Sequence, residues 1–143
     1  MLSKEIEYQV IKFIEKINEN YKIKFAYLFG SRARGDFHKE SDIDLALYFE
    51  EDYNGVKEVF TKGNIIEEGK KHFGIPVDIV YLNKAPLILK HEIVKEGIVL
   101  KDSYDRADFE SLVLREYFDF KYYSDQYDKA IIESIKKEEY FGR

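Results

Sequence analysis

The sequence predicts a small α/β (α+β) fold, a mixed sheet of roughly three to five strands covered by helices, with a long helix at its C-terminal end. Three observations carry that prediction. Short apolar runs suited to strands fall at Ile23–Phe29, Ile43–Phe49 and residues 76–81. Around them, apolar residues recur at three- and four-residue steps, the period of a helix with a buried face. A chain of 143 residues, 45% hydrophobic and 36% charged, also suffices for one compact domain with a real core.

Taken in order, the first element is a helix, with Leu2, Ile6, Val10, Phe13, Ile14, Ile17 and Tyr21 on one face and Glu5 and Glu7 in the first turn, where the helix dipole favours acids. Ile23–Phe29 is apolar enough to be a strand buried on both faces. It stops at Gly30-Ser31, and residues 36–41 form a polar loop back to the second strand, Ile43–Phe49. Residues 55–73 read as a helix interrupted at Gly63-Asn64 and at Gly69. A third strand opens at Pro76, and Ala85-Pro86 starts a helix, with Pro at its first position. That helix stops at Gly97, read here as a left-handed cap, before a short edge strand at residues 98–100. The polar stretch 101–106 reads as a hinge. Phe109, Val113, Tyr117, Phe120, Tyr123, Tyr127, Ile131 and Ile135 then continue as a long helix with one break. The expected division is a core at residues 1–101 and a helical extension at 102–143 within the same compact domain.

Composition excludes several classes. With no cysteine there is neither a disulfide nor a thiolate metal site, which fits a reducing cytoplasm. No apolar run reaches the roughly 20 residues that span a bilayer, and the first residues lack a signal-peptide pattern, so no membrane association is expected. A net charge of −5 argues against direct nucleic-acid binding. The chain has 12 tyrosines and 11 phenylalanines but no tryptophan, and many of the rings lie towards the C-terminus.

The chemistry concentrates in Leu28-Phe29-Gly30-Ser31-Arg32-Ala33-Arg34-Gly35 and in Ser41-Asp42-Ile43-Asp44-Leu45. A strand ending in a glycine turn lets backbone N–H groups approach phosphate oxygens, which makes Gly30 and Ser31 candidate nucleotide-binding residues. Arg32 and Arg34 supply guanidinium groups to neutralise the phosphates, one of them being expected simply to be solvated. Asp42 and Asp44 sit two apart at the start of a strand and so face the same way, as hard oxygen ligands for Mg²⁺. Asp78, in Val77–Tyr81, is a third carboxylate expected to converge with them on a pair of Mg²⁺ ions. Ser41 is expected to orient the loop before Asp42. His38, His72 and His91 have no partner pattern, and there is no Walker-type Gly-Lys-Ser/Thr, which excludes a P-loop ATPase.

Gly30-Ser31, ten intervening residues and Asp42-x-Asp44 resemble the signature of the DNA polymerase beta-like nucleotidyltransferase superfamily. The compact layout is similar to its minimal members, the MNT antitoxins of HEPN/MNT toxin–antitoxin systems. The resemblance covers residues 20–100 by motif and the remainder only by length and helical character. It implies a nucleotidyltransferase fold, ATP as substrate and catalytic metal ligands at Asp42, Asp44 and Asp78, the last a ligand or a base for the attacking hydroxyl. By the same resemblance the chain is an antitoxin-type protein adenylyltransferase. It would transfer AMP to a tyrosine of a cognate HEPN ribonuclease toxin, release pyrophosphate and silence the toxin. Excess aromatic surface on the C-terminal helix, with Leu112, Leu114, Phe118, Tyr122 and Ile132 outside its main stripe, suits a partner interface as well as it suits extra cover for a small sheet. Two alternatives stand beside this reading: a small-molecule nucleotidyltransferase, and a non-catalytic antitoxin that binds and occludes its partner.

Overall fold

The computed structural model describes residues 4–38 and 41–141. The elements run α1 (Lys4–Asn18), β1 (Ile23–Phe29), α2 (Ser31–Arg34), β2 (Ile43–Phe49), α3 (Gly55–Phe73), β3 (Val77–Tyr81), α4 (Leu87–Glu96), β4 (Ile98–Lys101) and α5 (Tyr104–Phe141). The four strands form one sheet in the order β3-β2-β1-β4. β1 runs antiparallel to β2 and β4, whereas β2 and β3 are parallel, so the sheet is mixed as expected. Leu2, assigned to the first helix above, lies outside the described residues.

Both faces of the sheet are covered. On one, Val10, Phe13, Ile14 and Ile17 of α1 and Ile65 of α3 pack against Leu28, Ile43, Leu45, Leu47, Val77 and Ile79. On the other, Ile93 and Leu89 of α4 and Phe109 of α5 close over Phe25, Tyr27, Ala46 and Val80. Burying each such side chain contributes about 1.5–3 kcal/mol. This explains why β1 and β2 are apolar at nearly every position and show no alternation.

Five local readings of the sequence are corrected. α3 is unbroken: Gly69 is buried, and a Cβ there would lie 2.7 Å from Val77 Cγ2, so this glycine lets α3 lie close on β3. Gly97 is not left-handed; its φ is −69°. A side chain there would overlap the Ile93 carbonyl oxygen and crowd the Tyr27 ring, so space and not backbone handedness demands glycine. α4 begins at Leu87, with Pro86 as its extended cap.

The stretch 101–106 is braced and is no hinge. Arg106 donates to both Asp102 oxygens (2.7 and 3.1 Å) and to Glu110 Oε1 (2.8 Å), and the Tyr27 hydroxyl donates to the same Glu110 oxygen (2.6 Å). Burial first, then the Glu110 carboxylate, pushes the Tyr27 phenol well above its ordinary value. α5 itself is one helix of 38 residues with no break, about 57 Å long at 1.5 Å per residue. Its first third packs on the core through Phe109 and Val113, and the Tyr117 ring stacks on His91 with centroids 3.5 Å apart. Among the described residues no helix is long and apolar enough to cross a membrane.

Candidate active site

The candidate residues gather where β1 ends and β2 and β3 begin. Pairing sets Asp44 opposite Phe29 of β1 on one side and opposite Asp78 of β3 on the other. Facing strand neighbours lie about 5 Å apart, which brings the two carboxyl-bearing backbones side by side. Alternation along β2 puts Asp44 on the face of Ala46 and Tyr48, the face that α4 covers. The site is therefore the open end of the α4 layer. Asp42 and Asp78 are exposed there, and Asp44 is half-buried.

Gly30 follows Phe29 directly, and two separate constraints hold it to glycine. Its φ is +74°, a conformation that L side chains rarely adopt. A Cβ on it would also overlap Asp44 Oδ2. The glycine turn and the Asp-x-Asp strand are thus two halves of one corner: the missing side chain is the space the Asp44 carboxylate occupies. Ala33 and Arg34 donate backbone N–H to the Gly30 carbonyl (both 3.1 Å), and Gly35 and Asp36 do so to Ser31 (2.9 and 3.1 Å), closing the single turn of α2.

Electrostatics match the crowding. Burial first, then the charges of Asp78 and Asp42, pushes the Asp44 carboxyl above the usual carboxylate range, with Arg34 pulling the other way. The Arg34 guanidinium is itself raised, chiefly by its bond to Asp36 (3.3 Å), and stands 3.6 Å from Glu96 at the end of α4. Its side chain is 46% exposed, leaving it a cation at the mouth of the site.

Arg32 behaves differently. It is only 3% exposed, and its Nε and Nη2 both donate to the Ser41 carbonyl (3.1 and 3.0 Å), with the guanidinium 4.9 Å from the Phe37 ring centre. The structure divides the two arginines: Arg32 is buried and braces the loop, while Arg34 is the solvent-exposed one at the mouth, as expected of one of the pair. Ser41 does orient the loop as expected, since its Oγ accepts the His38 N–H at 2.7 Å.

Asp42, Asp44 and Asp78 act on one another electrically, with Asp44 and Asp78 in register, although among the described residues no three such side chains already enclose an ion by themselves. That donor set still fits Mg²⁺, which is usually held by one or two carboxylates with substrate phosphates and water completing its shell. The raised Asp44 carboxyl points the same way, because a cation beside it would offset the repulsion.

Comparison with known proteins agrees with this corner. A family model described as polymerase beta nucleotidyltransferase matches residues 12–106, which spans every residue of the site. The chain belongs to that family. It is a nucleotidyltransferase by family. A putative protein adenylyltransferase of Methanocaldococcus jannaschii is 36% identical over 77 residues, 53% of this chain and 74% of the relative. The protein adenylyltransferase MntA of Aphanizomenon flos-aquae is 35% identical over 102 residues, 64% of this chain and 67% of the relative. Two solved structures share the fold, each at TM-score 0.64 and 22% identity. One is a toxin–antitoxin with AMP-PNP, covering 88% of this chain and 98% of that one. The other is a tri-AMPylated Shewanella oneidensis HEPN toxin in complex with its MNT antitoxin, covering 91% and 95%.

Proposed function

We propose that this chain transfers AMP from ATP to a tyrosine hydroxyl of a HEPN toxin and thereby neutralises it. The observation that carries the reading is the corner itself: Gly30 shaped around the Asp44 carboxylate, with Asp78 in register beside it. The relatives named as protein adenylyltransferases and the AMPylated toxin complex support the acceptor class.

In this reading the Gly30-Ser31 turn receives the β- and γ-phosphates, and Arg34 at the mouth neutralises their charge. Asp42, Asp44 and Asp78 would hold Mg²⁺, which when bound polarises the phosphate and stabilises charge on the leaving pyrophosphate. The acceptor oxygen attacks the α-phosphorus in line. One O–P bond forms, the bond from the α-phosphorus to the bridging oxygen breaks, and pyrophosphate leaves. Asp78, exposed on β3 beside Asp44, takes the phenolic proton.

The second part of the proposal concerns α5. From residue 118 onward it exposes Phe118, Phe120, Tyr122, Tyr123, Tyr127, Ile131, Ile132 and Ile135, each at least 40% accessible. That much apolar surface on one helix is a docking surface for the toxin, whose acceptor tyrosine is then presented to the open side of the corner.

ATP radiolabelled at the α-phosphate tests the transfer. The label passes to the toxin from the α-phosphate and not from the γ-phosphate. A toxin neutralised with no label attached would favour occlusion, for which the exposed α5 surface alone would suffice.

A further inference from the structure

The geometry points to Arg32 as a positioning residue, one that fixes the backbone from which Asp42 projects. The inference rests on the reading of Asp42 as a metal ligand given above.

A guanidinium that is 3% exposed is costly to bury unless its donors are used. Arg32 directs two of them, Nε and Nη2, at a single oxygen, the carbonyl of Ser41, at 3.1 and 3.0 Å. Only the planar fork of arginine can present two parallel N–H groups in this way; a lysine ammonium cannot reproduce it. The face of the fork lies against Phe37, 4.9 Å from its ring centre, which limits how far the group can swing.

Ser41 is held at its other polar atoms as well. Its backbone N–H donates to the His38 carbonyl at 3.0 Å, and its Oγ accepts from the His38 N–H at 2.7 Å. On the far side of Asp42, the Ile43 N–H donates to the Pro76 carbonyl at 3.0 Å. The Asp42 side chain is exposed, yet the peptide groups on both sides of it are fixed. Such an arrangement suits a ligand that must reach into solvent for an ion without wandering. Outer groups that orient metal ligands typically change metal affinity by about 10- to 100-fold when replaced.

The alternative use of Arg32, as a direct phosphate ligand, is disfavoured by where its head lies. Its fork is engaged with a backbone carbonyl inside the loop, whereas Arg34 offers its charge at the mouth.

Mn²⁺ is the probe, with free ion counted by its electron paramagnetic resonance signal on the whole chain. Arg32→Lys, confirmed folded by circular dichroism at the measuring temperature, is expected to bind Mn²⁺ about 10-fold or more weaker than wild type. Its affinity for a non-hydrolysable ATP analogue without metal stays near wild type, and AMP transfer recovers at high Mn²⁺. Should Arg32→Lys not fold, Phe37→Leu, which removes the ring that holds the guanidinium in place, carries the test, with a smaller loss in the same direction. Unchanged Mn²⁺ affinity in the folded variant would overturn the proposal. So would a loss confined to the metal-free analogue, which would make Arg32 a phosphate ligand. A wild-type chain that holds no Mn²⁺ would instead overturn the reading of the site on which this inference rests.

Discussion

The corner at Gly30 and the distal part of α5 are opposite solutions to the same problem. At the corner, polar groups are crowded together and each is answered from within the chain: Asp44 by the empty space of Gly30, Ser41 by Arg32, Ile43 by Pro76. Along residues 118–135 of α5, large apolar side chains stand largely in solvent. A region that satisfies itself yet keeps one repelled carboxylate is built to hold a charged ligand. A region left apolar suits contact with another surface. The proposed reading gives chemistry to the first and recognition to the second, and it can be broken at either end.

The largest effect belongs to the carboxylates. Asp42→Asn and Asp44→Asn should each lower AMP transfer about 10³-fold, measured by label incorporation, while a pull-down with the toxin still succeeds. Loss of binding in these variants would merge the two regions and break the comparison.

Next comes α5. Tyr122→Ala with Tyr127→Ala should weaken the complex by about 2 kcal/mol in a calorimetric titration. The melting temperature should hold, since both side chains are more than 60% exposed.

Gly30→Ala should destabilise the fold by about 1–3 kcal/mol in urea denaturation and impair transfer, because the new methyl group meets Asp44 in an unfavourable backbone conformation.

Asp44→Asn should act on stability in the opposite sense. The Asp44 carboxyl is raised in the fold, so its ionised form is disfavoured there, and the cost is present at neutral pH and absent once the group is protonated in both states. The variant should therefore be more stable than wild type at neutral pH without metal, with the gain disappearing as pH falls below the usual carboxylate range. Saturating Mg²⁺ should erase or reverse it.

Much of this was legible in the residues, for physical reasons. Strands and turns announce themselves locally: Gly30-Ser31 and Asp42-x-Asp44 needed only the periodicity of strands and the conformational freedom of glycine, and the sheet then set Asp78 beside Asp44. What was not legible depends on contacts between segments distant in the chain. Gly69 and Gly97 look like breaks or caps in sequence, yet each is glycine because another element lies against it. The stretch 101–106 looks loose because it is polar; its charges are bonded to Glu110 and, through it, to Tyr27 in β1. Arg32 and Arg34 are indistinguishable as letters two apart, and only the fold turns one inward and the other to the mouth. The placement of Phe37 between charged and polar neighbours was the one available hint of a stacked arginine.

The most direct test of the account is the intact mass of the toxin after incubation with this chain, ATP and Mg²⁺. The account predicts a gain of one or more AMP masses, lost with Asp42→Asn. An unshifted mass for a toxin that is nonetheless bound and silenced would contradict it, and would leave the exposed helix as the whole of the mechanism.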